Sequence, residues 1–283
     1  MKKLISILLV CLLLAGCGGT AATVETAEPT TQPTETAAPI DTEAETEPEE
    51  TVAAGPARVL PDGVYTVDFV TDSSMFRANE ACNGKGTLTV SGGVQTVHVS
   101  LQSKKIVNLY PGTAEDAQKS GAVWLEPAVD TVTYSDGLSD EVFGFDVPVA
   151  SVGQDFALAI IGTKGVWYDH TVSVQNPVPQ EGEYTCEVTL SGGSGRASVT
   201  SPAAIVSDGE TLTATIEWSS PYYEYMIVDG IQYDPIQTEG NSTFQIPVTL
   251  DTELAVSGST TAMSEPHLVD YTLTFDSTTL TAK

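Results

Sequence analysis

From residue 57 onward, apolar and polar side chains alternate in short runs. GVYTVDF, GTLTVSG, VQTVHVSL, DTVTYSD, VFGFDVPV, DFALAIIG and HTVSV are each bounded by Gly, Asp, Asn or Ser. A period of two puts every second side chain on one face, so the pattern predicts half-buried β-strands. Only TAEDAQKS, residues 113–120, has the spacing of a turn or two of helix.

The order of strands then recurs. DGVYTVDF (62–69) matches EGEYTCEV (181–188), GFDVPV (144–149) matches TFQIPV (243–248), and YDHTVSV (168–174) matches VDYTLTF (269–275). Between the copies stands QNPVPQ, 175–180, whose prolines lack a ladder donor and so punctuate a boundary. The chain therefore reads as all-β, with two immunoglobulin-like sandwiches at 57–176 and 177–283.

The region ahead of these strands has a different character. MKKLISILLVCLLLAGCGG opens with two lysines and an apolar run from Leu4 to Leu14, shorter than the roughly 20 residues of a spanning helix. It reads as an export signal over 1–16. The ending Leu14-Ala15-Gly16-Cys17 resembles the lipobox of bacterial lipoproteins, which implies lipidation at Cys17 and anchoring to the outer face of the cell membrane. Residues 17–56 are an acidic mixture of Thr, Pro, Glu and Ala, too poor in large apolar residues to fold, and read as a disordered stalk.

The net charge of −27 excludes nucleic acid as a natural partner. Cys82 and Cys186 fall in separate predicted domains without zinc-type spacing, and are expected to be unpaired, with Cys186 in a buried strand. A disulfide between them is the alternative. No nucleophile elbow, phosphate loop or His-Glu-x-x-His pattern occurs, so the chain is not expected to be an enzyme. Of the three histidines, His98 sits inside VQTVHVSL and reads as a solvent-facing strand residue.

His267 and Tyr271 share one strand face with Val269, Leu273 and Phe275, as though the strand began at the rim of an apolar cleft and ran into a core. Tyr222, Tyr223 and Tyr225 in SSPYYEYM exceed what one buried face holds, so at least one is expected to be exposed and available for contacts.

The strand order, the DG-x-Y-x-V opening, the segment 201–230 and the closing hairpin resemble NEAT domains, β-sandwich modules by which Gram-positive bacteria bind and relay haem. That family carries Tyr-x-x-x-Tyr on its last hairpin, the first tyrosine ligating iron. The resemblance implies a haem site with His267 at the ligand position and Tyr271 in support. Met263, four residues ahead of His267, offers a second soft ligand of the kind that joins histidine in both haem and copper sites. In the first copy it places Val166 and His170 at those positions, which leaves that copy to bind nothing, to use His170 or Tyr168, or to bind a protein. It also carries over a short helix capping the pocket, with Ser74, Met75 and Phe76; in the second copy the matching loop, LSGGSGRASV, offers only Ser194. The implied partners are a haem or iron transporter and haem donor proteins. The alternative is an adhesive or structural module that binds a protein or glycan without a cofactor.

Overall fold

The computed structural model describes residues 57–237, 239–262 and 265–283. The export signal, the lipidation at Cys17, the stalk and Met263 lie outside them. The described residues fall in one compact unit and are all-β, with several sheets arranged in a manner compatible with β-sandwiches.

The first half holds β1 (Gly63–Thr71), β2 (Lys85–Ser91), β3 (Val94–Ser100), β4 (Ile106–Pro111), β5 (Ala128–Thr133), β6 (Ser139–Pro148), β7 (Asp155–Gly162), β8 (Trp167–Tyr168) and β9 (Thr171–Pro179). They form one ladder in the order β4-β7-β9-β1-β2-β3-β6-β5, with β8 paired to β7. The ladder turns because β1 serves two neighbours: it pairs with β2 over Gly63–Asp68 and with β9 over Tyr65–Thr71, and its register with β9 slips between Thr66 and Asp68. Such a slip bends a strand and raises its twist. The alternation read from the sequence is the burial pattern found, with Tyr65, Val67 and Phe69 inward on β1 and Val97 and Val99 inward on β3.

The second half holds β10 (Gly182–Cys186), β11 (Val188–Gly192), β12 (Ala203–Ser207), β13 (Leu212–Glu217), β14 (Tyr223–Val228), β15 (Ile231–Tyr233), β16 (Thr243–Val248), β17 (Leu254–Thr260), β18 (His267–Phe275) and β19 (Thr281–Ala282). They make two five-stranded sheets, β16-β13-β12-β10-β19 and β11-β18-β17-β14-β15. Where the first half bends β1 at a slip, the second breaks the matching strand at Glu187 and gives β10 to one sheet and β11 to the other. Ile205, Ala214, Ile216, Phe244 and Ile246 from one sheet and Met226, Leu273 and Phe275 from the other are fully buried.

The repeat extends to hydrogen bonds. Tyr65 donates its hydroxyl to the carbonyl of Pro61 at 2.8 Å, and Tyr184 donates to Gln180 at 2.9 Å, each reaching back four residues. Pro148 stands opposite Thr96 and Pro247 opposite Thr213, both in positions where no outer strand needs the missing N–H. The join differs from the expected break at 176/177, because β9 runs on to Pro179. Ser207 Oγ donates to the Pro179 carbonyl at 2.7 Å, and Arg58 pairs with Asp251 at 2.8 Å across the two halves.

The helix expected within 113–120 spans Ala114–Ala117, N-capped by Thr113, whose hydroxyl accepts the Asp116 N–H. The capping helix expected after β1 is not found at Ser74–Phe76. A bend occupies that stretch, and among the described residues between β1 and β2 the one helical turn is a 3-10 turn at Glu80–Cys82. Ser73 explains the bend: its hydroxyl accepts the N–H groups of both Met75 and Phe76, offering the backbone an alternative to a helix.

Candidate functional site

A cleft of about 490 Å³ opens in the first half between this bend and the β7–β8 hairpin. That volume falls in the range of small-molecule sites. The bend forms one wall. Thr71 donates its hydroxyl to the Phe76 carbonyl at 2.5 Å, and Phe76 is driven into the interior while Met75 stays 83% exposed at the rim. The opposite wall comes from Ile106 at the start of β4, Ile160 on β7, and Val166, Tyr168 and His170, which alternate along one segment. Of the residues singled out in the sequence, Met75, Phe76, Tyr168 and His170 therefore meet at one cleft. Ser74 is exposed and outside its lining, where Ser73 takes part instead.

His170 is the cleft's most constrained polar group. Its Nδ1 lies 2.7 Å from Asp72 Oδ1, and the other oxygen of Asp72 accepts the Thr171 N–H at 2.9 Å. The imidazole, 18% exposed, leans on the Phe76 ring with centroids 5.4 Å apart. The Thr171 N–H, and after it the bond from His170, hold the Asp72 carboxyl below the usual carboxylate range. An ionised Asp72 takes the Nδ1–H and leaves Nε2 as the lone-pair nitrogen, the arrangement by which a carboxylate orients a metal-binding imidazole. Among the described residues no group of three or more His, Cys, Asp or Glu is placed to hold a bare metal ion. A metal that arrives already chelated needs only one such nitrogen.

The matching place in the second half is filled. Tyr271, 7% exposed, shares a hydrogen bond of 2.9 Å with the Tyr223 hydroxyl, and Trp218 stacks on Tyr223 with centroids 4.0 Å apart while meeting Tyr271 edge-on at 5.0 Å. Burial, and then the bond to Tyr271, push the Tyr223 hydroxyl well above the usual phenol range. The loop after β11 closes the space from outside: a Cβ on Gly193 would lie 2.5 Å from the Tyr271 ring, and one on Gly258 3.0 Å from Tyr223. So Tyr271 faces a packed aromatic cluster, where the sequence pattern had pointed to the wall of a cleft. His267 opens β18 opposite Thr260 and is exposed, as is Leu268. Ser194 is exposed as well. The three tyrosines of SSPYYEYM divide, Tyr222 being 54% exposed, Tyr223 buried and Tyr225 half-buried.

A scan of protein-family models and a search of curated proteins both return no match to this chain.

One polar constellation escaped the sequence reading. His98 Nδ1 lies 2.8 Å from Asp146 and Nε2 3.0 Å from Asp130, while Ser100 donates its hydroxyl to the same Asp130 oxygen at 2.6 Å. Gly144 makes room for it, because a Cβ there would run into the Asp130 carboxylate. Burial alone would lower the proton affinity of His98, but the bonds to Asp146 and Asp130 outweigh it and raise the net value. The serine is bonded to the aspartate and not to the imidazole, so this is a clamp across β3, β5 and β6 and not a nucleophile–base pair.

Cys82 and Cys186 are both free. Burial pushes the Cys186 thiol up to about 11, so it stays protonated and inert.

Proposed function

We propose that the chain is a lipid-anchored surface protein of tandem NEAT-like sandwiches, whose first half binds haem or a related iron chelate as cargo for a membrane transporter. His170 carries this reading: an imidazole on the wall of an apolar cleft, with one nitrogen held by Asp72 and the other without a hydrogen-bond partner among the described residues. The cleft's apolar walls suit a flat ring, and a histidine nitrogen is a competent axial ligand for its iron. Cys17, the acidic stalk and the repeated tyrosine bonds to the carbonyl four residues upstream support a tethered, immunoglobulin-type arrangement. In this reading the cargo site lies at Tyr168 and His170 of the first half, and His267 and Tyr271 play no part.

Haem titration of the chain without residues 1–17, followed in the visible spectrum, tests it. One haem per chain is expected, with the saturable Soret band lost in His170→Ala and kept in His267→Ala. A band that survives His170→Ala unchanged would remove His170 as ligand, and no saturable band would remove haem. The second half favours a further role as spacer or protein-binding module, because its aromatic centre is packed solid and Tyr222 stands out from its surface.

A further inference from the structure

The basic residues of this acidic chain are unevenly placed. Seven of its eleven Lys and Arg fall within 57–176, whereas Arg196 and Lys283 are the only two in 177–283. Arg58, Lys85, Lys104 and Lys119 are each engaged with a carboxylate. Lys105 and Lys164 make no ion pair among the described residues, and both line the cleft. The backbone brings them together: Ile106 pairs with Gly162, the Thr163 N–H donates to the Lys105 carbonyl at 3.0 Å, and a tight turn closed by Gly165 N–H to the Gly162 carbonyl at 2.9 Å carries Lys164. Two cations thus stand at the ends of the adjacent strands β4 and β7, above the apolar wall of Ile106, Ile160 and Phe76. Neighbouring Lys104 has the opposite fate, tied to Glu141 at 2.6 Å.

Resting on the ligand-binding reading of the cleft, we propose that it selects an amphipathic anion: an apolar, preferably flat body seated against Phe76, Ile106 and Ile160, with its carboxylates on Lys105 and Lys164. A net charge of −27 repels anions at long range. Two unneutralised lysines at one mouth reverse that locally, and apolar walls raise the worth of each contact over one in open solvent. The lysines set specificity, and His170 is not needed for it.

The test titrates the chain without residues 1–17 with the fluorescent apolar anion 8-anilino-1-naphthalenesulfonate and, in parallel, with the neutral apolar dye Nile red. Both lysines are exposed, so the expected effect is moderate. Lys105→Ala/Lys164→Ala should weaken the anionic probe by about tenfold at low salt, with little change for Nile red, and added salt should reduce the difference. Equal binding of the anionic probe by wild type and double variant would overturn the proposal, as would a parallel loss of both probes. Haem and its dimethyl ester separate the two readings. If both bind alike, the lysine proposal fails and the haem reading stands. If the sulfonate is bound through the lysines and haem is not bound, the haem reading fails and the anion site stands.

Discussion

The two halves repeat one strand order, yet among the described residues the first opens a cleft at the start of its last long strand where the second is packed. In the first half the loop after β1 bends at Ser73, sends Phe76 inward and leaves space before Tyr168 and His170. In the second, Gly193 lays the matching loop directly on the Tyr271 ring, and Trp218 fills what remains. A shared scaffold therefore does not carry a shared site. Whether the position holds a ligand depends on two or three side chains that either fill the space or line it.

Breaking the filled half should have the largest effect on stability. Trp218→Ala removes the ring that joins Tyr223 and Tyr271 and should cost about 3–5 kcal/mol, read as a lower midpoint of urea unfolding. Haem binding by the first half should persist below that transition. Loosening the open half acts on affinity instead. Asp72→Asn removes the carboxylate that orients His170 and should weaken haem binding by about 10- to 100-fold, measured by titration in the visible, with unfolding little changed.

A smaller effect is expected for Tyr271→Phe. It leaves the ring in place and deletes the bond to Tyr223, so unfolding should show a loss of about 1 kcal/mol and haem titration none. The smallest effect concerns His98. Its proton affinity is raised in the fold, so its contribution is fully present below the unfolded value of about 6.5 and is lost as pH rises through the higher folded value. The stability gap between wild type and His98→Asn should therefore shrink as the pH rises above about 6.5. With over a third of the side chain exposed, solvent screening keeps that gap under about 1 kcal/mol.

Much of the architecture was legible in the sequence, because it rests on local signals. Period-two alternation gave the strands, the spacing of TAEDAQKS marked the short helix, and the paired DG-x-Y and EG-x-Y openings marked the repeat. The spacing that drew attention to His267 and Tyr271 states only which side chains share a face. It does not state what the opposite sheet brings to meet them, and Trp218, 53 residues earlier in the chain than Tyr271, decided that. The His98 clamp was hidden for the same reason, its partners lying 32 and 48 residues away. The first copy's candidates Tyr168 and His170 alternate on one face of VWYDH, and the lysine turn of TKG stands directly beside them in the sequence, much as a cleft wall with a charged mouth requires.

The contrast between the halves is tested most directly by hydrogen–deuterium exchange of the chain without residues 1–17, with and without haem. The account predicts new protection at residues 71–76, 101–106 and 158–171, with residues 254–275 unchanged. Protection confined to 254–275, or none anywhere, would contradict it.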